Sequence, residues 1–201
     1  MKDKTPFILL GLYIIEFIIC GISPFDRGVW WAENIPIIAI VISAVIISKY
    51  FKFSPTSYIM MSVLVMLHTI GGHYTFEKVP FGFITDMFGF ERNHFDRVAH
   101  FSVGFYAYLI AEALMKRKLV NTKWILYLFP VFTILSTAVV YELFEWIFAI
   151  SADPLAGMTV LGSQGDIWDA QKDMLADGLG SIFAVFLFYF MNRREISGTI
   201  E

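Results

Sequence analysis

The chain is short of charge and almost without cysteine. Charged residues fill 16% of its 201 positions, against roughly 25% in soluble domains, which is too few to clothe a water-exposed surface of this size. The single cysteine, Cys20, excludes an internal disulfide and a cysteine-rich metal site. GxSxG, HExxH, a P-loop and GxGxxG are all absent, so none of the common nucleophile, zinc-protease or nucleotide signatures applies. There is no internal repeat, low-complexity tract or Pro/Ser-rich linker. The basic residues form short loops with no patch larger than membrane orientation requires, which argues against nucleic acid as a partner.

What remains is apolar. Hydrophobic residues make up 57% of the chain and aromatic residues 17%, in long windows near the ~20 residues that a helix needs to cross a bilayer. The windows predict six spans: Pro6 to Ser23, Ile35 to Tyr50, Ser57 to Phe76, Asp96 to Met115, Trp124 to Trp146 and Ala170 to Met191. The predicted fold is an all-α polytopic integral membrane protein, one domain over residues 1–201. The first window follows Lys2 and Lys4 as a signal peptide would, but no small-residue cleavage site follows it and a bulky Ile19 precedes Cys20, so it is expected to remain a helix.

Charge distribution orients the spans. Lys2, Lys4, Lys49, Lys52, Lys116, Arg117, Lys118, Lys123, Arg193 and Arg194 share one side, and Arg27, Lys78, Arg92, Arg97 and Lys172 the other. The positive-inside bias predicts both termini in the cytoplasm. Most acids fall on the outer side, and the aromatic, glycine-rich stretch Phe81 to Phe90 is expected to lie there as a cap or short interfacial helix.

The acids sit where a membrane helix can least tolerate them. Gly178 to Met191 supplies only about 21 Å of helix against a hydrocarbon core of roughly 30 Å. The last helix must therefore start near Ala170, which draws Asp173 and Asp177 into the membrane on the same face as Asp169. Asp96 and His100 are four apart at the head of the fourth span, His73 ends the third, and Glu142 and Glu145 lie near the outer end of the fifth. Charged groups at this depth cost several kcal/mol unless paired or facing a protein interior, so the set is expected to converge.

Two readings of that convergence compete. Asp96 and Asp169 could be N-caps, with Asp173 complementing a helix dipole, and Arg92 and Arg97 could join the acids in a salt-bridge network. Glu142 and Glu145 stand at a helix C-terminal end, where the dipole gives no support, and need a proton, a base or an ion. Carboxylates with one or two imidazoles suit a divalent ion, Mg, Mn, Fe or Zn rather than Ca. Elsewhere, His68 reads as an interhelical hydrogen bonder, Glu112 and Lys116 as a surface pair, and Glu16 as a lone acid without an evident partner. Trp30, Trp31, Trp124 and Trp146 read as interface anchors, Trp168 as a residue shaping the site, and Gly104, Gly178 and Gly180 as packing positions.

The stretches NHFDRVAHF (Asn93 to Phe101), YELFEW (Tyr141 to Trp146) and GSQGDIWDAQKDM (Gly162 to Met174) resemble the YjdF family of bacterial inner-membrane proteins, over almost the whole chain. More distantly, the pattern is similar to VanZ-type membrane proteins, some of them linked to glycopeptide resistance. Their D-[KR]-x-x-H matches Asp96, Arg97 and His100, their E-x-x-Q aligns with Glu142 and Glu145, and their D-x-x-x-N-x-x-G aligns with Asp173, Asp177 and Gly180. Glu145 stands where that pattern has Gln and Asp177 where it has Asn, and both departures add acid. The resemblance implies a bacterial inner (cytoplasmic) membrane and a VanZ-like helical bundle, without assigning a reaction.

The sequence reading is a metal-assisted enzyme acting on lipid headgroups or lipid-linked envelope precursors. His100, Glu142, Asp173 and Asp177 would hold the ion, Glu145 or Asp96 would be general base and His73 general acid, with Arg97, Gln164, Asp166 and Asp169 in support. The alternatives are a non-catalytic protein that binds an envelope ligand and a proton-coupled transporter. Membrane lipids are the expected partners, and no protein partner is indicated.

Overall fold

A computed structural model describes residues 3–151, 161 and 163–199, and among them every regular element is a helix. The order is α1 (Thr5–Cys20), α2 (Arg27–Tyr50), α3 (Pro55–Tyr74), α4 (Gly82–Phe88), α5 (Phe95–Val103), α6 (Tyr106–Lys116), α7 (Lys123–Ser151) and α8 (Asp169–Thr199). Helices underlie all six predicted windows, the fourth shared between α5 and α6. Three helical stretches, α2, α7 and α8, and the broken pair α5 and α6 taken together are long and apolar enough to cross a membrane, whereas α1 is apolar but shorter.

Local chemistry explains where the helices depart from the predicted bounds. Asp26 caps α2 by accepting a hydrogen bond from the Val29 N–H at 2.9 Å, so the helix starts eight residues before Ile35 and carries Pro36 within it. The fourth window breaks at Gly104, where α5 hands over to α6. α8 runs past Met191 because Ile196, 1% exposed, returns to the core. Ser54 caps α3 through the Ser57 N–H, with Pro55 in the first turn where its missing N–H costs nothing.

Two groups of helices make the bundle. α1 and α2 both pack on α3, while α5, α6 and α7 pack around α8, and α3 joins the groups through α5 and α6. The larger core lies between α3, α6, α7 and α8, where Leu126, Ala107, Ala111, Ala184 and Phe188 are fully buried. Outside it, large apolar side chains such as Phe7, Ile18, Phe132 and Val140 stand more than half exposed, as a lipid-facing surface requires. Lys4, Lys49, Ser54, Lys116 and Lys123 gather at one end of the bundle, and Cys20, Arg27, His73, Asp96 and Asp169 at the other. We call these the basic and acidic ends.

The stretch between α3 and α5 contains a short helix, α4, with no buried residue and with Phe83, Met87 and Phe88 exposed. Trp30 departs from its predicted anchoring role. It is 3% exposed and packs against Phe17, with ring centroids 5.1 Å apart.

Candidate functional site: an acid and imidazole cluster over a cavity

The site starts from two glycines. A Cβ placed on Gly104 would land on backbone atoms of Asp177, Gly180 and Ser181, and one on Gly180 would land on the Phe101 carbonyl. The α5–α6 break and α8 therefore touch backbone to backbone, which only residues without a side chain allow. His100 lies one turn before Gly104, and Asp177 and Asp173 lie one and two turns before Gly180. The glycine contact brings them face to face.

His100 is surrounded by acid. Its Nδ1 is 3.3 Å from Asp177 Oδ1, and its Nε2 is 3.6 Å from Asp96 Oδ1 and 3.5 Å from Asp173 Oδ1. Carboxylates only accept, so Asp177 is an acceptor for Nδ1, and Asp96 and Asp173 flank Nε2. Asp96, His100 and Asp173 each offer an atom within 4.8 Å of the others, the spacing of a candidate metal ligand set.

A layer of arginine lies above this cluster. Arg97 bonds both Asp169 and Asp173, and its NH1 is 3.4 Å from Asp96 Oδ2. Arg92 donates to Asp169 at 2.6 Å and to the Ser163 carbonyl at 3.0 Å. Asp169 is thus a salt-bridge partner rather than a cap. Asp166, in the turn before α8, accepts from the Trp168 N–H at 3.0 Å and from Lys172 at 2.6 Å. Those bonds, Lys172's first, hold the Asp166 carboxyl below its ordinary value. Gln164 accepts from the Asn93 N–H and donates back to the Asn93 carbonyl, each at 3.0 Å, clipping the approach to α8 onto the approach to α5. Trp168 is 59% exposed and does not shape the site.

Beneath the cluster is a cavity of about 160 Å³. Asp96, His100, Glu145, Asp173 and Asp177 line its polar end, joined by Glu33, His68 and Tyr141. Pro36, Ile37, Ile40, Leu64, Val103 and Ala138 line the rest. His68 Nε2 lies 3.0 Å from Glu33, linking α3 to α2, so the interhelical role read for His68 is realised. Glu33, the partner, was hidden by the late start predicted for α2. The signal that would have found Glu33 was the Asp26 cap, nine residues before Ile35.

Two predicted catalytic or ligand residues do not line the cavity. His73 is not among the cavity-lining residues; its Nδ1 donates to the Cys20 carbonyl at 2.7 Å, satisfying the last turn of α1 and clipping it to α3. Glu142 does not line the cavity either, and its buried Oε1 has no hydrogen-bond partner among the described residues. Glu145, three residues on, takes the cavity position. Leu161 also reaches the lining, whereas residues 152–160 between α7 and α8 fall outside the described residues.

Fold and site together define a class: a helical, multi-pass membrane protein whose helices enclose an acid and imidazole cavity near one end. Residues 5–194 match a family described as "Predicted membrane protein (DUF2238)", and the chain belongs to that family. Inner membrane protein YjdF of Escherichia coli (strain K12) is 30% identical over 178 residues, covering 88% of this chain and 85% of the relative. No solved structure matches. The protein is accordingly a multi-pass inner-membrane protein.

Proposed function

We propose that the chain crosses the inner membrane six times with both termini in the cytoplasm, and that the Asp96, His100 and Asp173 cluster holds a divalent ion for an enzyme acting on lipid headgroups or lipid-linked envelope precursors. One observation carries the ion: Asp96, His100 and Asp173 each offer an atom within 4.8 Å of the others, with Asp177 against the far nitrogen, Nδ1, of His100. An imidazole oriented by an acid on its far nitrogen is the usual second layer of a metal site. Asp177 is then a positioning residue rather than a ligand. When bound, such an ion would polarise a phosphoryl or carbonyl oxygen. In this reading Glu145, which lines the cavity, would take a proton, and Tyr141, one turn before it on α7, would hold the substrate. The apolar lining supports a lipid, because it suits the first carbons of a chain beneath a headgroup.

The test is metal content by mass spectrometry on protein purified in mild detergent. Wild type is expected to carry close to one ion per chain, and His100→Ala and Asp173→Asn to lose it. Wild type without ion after Mg, Mn and Zn are added back would sink the reading. A second reading would then lead, supported by the bonds from Arg97 to Asp169 and Asp173: a salt-bridged cup that binds an envelope ligand without turnover.

A further inference from the structure

We propose that a second groove, at the basic end and separate from the acidic cavity, binds an anionic phospholipid through one acyl chain. The groove arises because α1 and α2 lean on α3 without closing on each other along their whole length. Toward the acidic end they meet, through the Tyr13, Ile37 and Val65 cluster and the Phe17 and Trp30 rings. Toward the basic end they diverge, and Pro6 and Leu10 of α1, Ala44 and Val45 of α2 and Met61 of α3 line a space of about 580 Å³. The α2 wall from Ile40 to Ser48 is about 12 Å long. Apolar walls of this kind within a bilayer forfeit their dispersion contacts unless an apolar chain fills them.

Charge at the mouth selects the headgroup. Lys52 lines the groove, and the turn carrying it is held by Lys116, which donates to the Lys52 carbonyl at 3.5 Å, and Arg117, which donates to the Tyr50 carbonyl at 2.9 Å. Both cations lie over the Phe51 ring, at 5.9 and 5.3 Å, and Lys49 is exposed in the last turn of α2. Against them stand Asp3, which lines the groove and accepts from the Thr5 N–H, and Glu112, which is buried and bonded to Lys116. The balance is positive. An apolar slot under a basic rim complements a chain under a phosphate, and a lipid with net negative charge gains more there than a zwitterionic one.

Native mass spectrometry tests this on delipidated full-length protein reloaded with an equimolar mixture of phosphatidylglycerol and phosphatidylcholine of identical chains. Wild type is expected to retain phosphatidylglycerol about fivefold over phosphatidylcholine, the preference one lysine contributes beside an anionic lipid. Lys52→Glu should bring the ratio to one or below. Val45→Trp, which fills the groove from a half-exposed position, should cut retention of both lipids, while Val139→Trp on the lipid-facing side of α7 should not. Ser48→Trp makes the same block nearer the mouth, should Val45→Trp lose its helical circular dichroism. Equal retention of the two lipids by wild type, an unchanged ratio in Lys52→Glu, or full retention in both folded tryptophan variants would overturn the proposal. Metal content plays no part in these readouts, so they stand whatever occupies the acidic cavity.

Discussion

Two buried groups of acid lie at opposite ends of this bundle, and they are built on opposite principles. At the basic end Glu112 is 2% exposed and fully supplied: its carboxylate accepts from the Ser54 N–H at 2.8 Å, the Ser54 hydroxyl at 3.1 Å, the Ser57 hydroxyl, and Lys116 at 2.5 Å. It also faces the positive end of α3, where a carboxylate is favoured. At the acidic end Glu33, Asp96, Glu145, Asp173 and Asp177 share one cavity with two histidines, and Arg97 reaches only two of these acids. A protein that wanted only to join helices would use the first arrangement. The second keeps acid in excess around a cavity, an arrangement that costs stability and is common at functional sites.

Breaking the satisfied cluster should have the largest effect. Glu112→Ala strands two serines and the first turn of α3, and should lower stability by about 3 kcal/mol, read from thermal unfolding in detergent; a loss under half of that would mean the cluster is not the clamp described. Gly180→Ala comes next, at about 2 kcal/mol, because its Cβ meets the Phe101 carbonyl. The same variant should lose bound metal by moving His100 away from Asp177, and retention of both stability and metal would refute the close contact. Glu145→Gln should stay within about 0.5 kcal/mol of wild type in unfolding while failing to complement a deletion strain. A destabilisation like that of Glu112→Ala would erase the contrast between the two ends. The smallest effect belongs to Asp166, which lies outside the spanning helices. Its carboxyl is held below the ordinary value, so its contribution is present at neutral pH and is lost as the pH falls below about 4. Asp166→Asn should flatten that acid-side slope of unfolding against pH, and an unchanged slope would show that the Lys172 and Trp168 bonds carry no stability.

The same contrast shows which residues could be read in advance. The four-residue spacing of Asp169, Asp173 and Asp177, and of Asp96 and His100, survives folding because it is a property of one helix and needs no neighbour. Glu112 with Lys116 was also readable as an i, i+4 pair. That Glu112 is buried was not readable, because its other donors, Ser54 and Ser57, lie 58 and 55 residues away. His73 misled for the same reason. Depth along a helix follows from counting residues, but the direction of a side chain around it follows from what packs against it, and His73 faces α1 rather than the cavity.

Sequence by itself determined that this chain lives in a membrane, where its helices fall to within a few turns, and that too many acids lie near one end of them. Those are one-dimensional properties, set by hydropathy, spacing and the ~1.5 Å rise of a helix. Tertiary structure alone decided which acids share a cavity, that Arg97 neutralises some of them while Asp177 orients His100, and that α1 and α2 part over a groove. The physical reason is that helix rotation and approach are set by contacts distant in sequence, and here by Gly104 against Gly180, a pair whose meaning appears only when the two backbones touch.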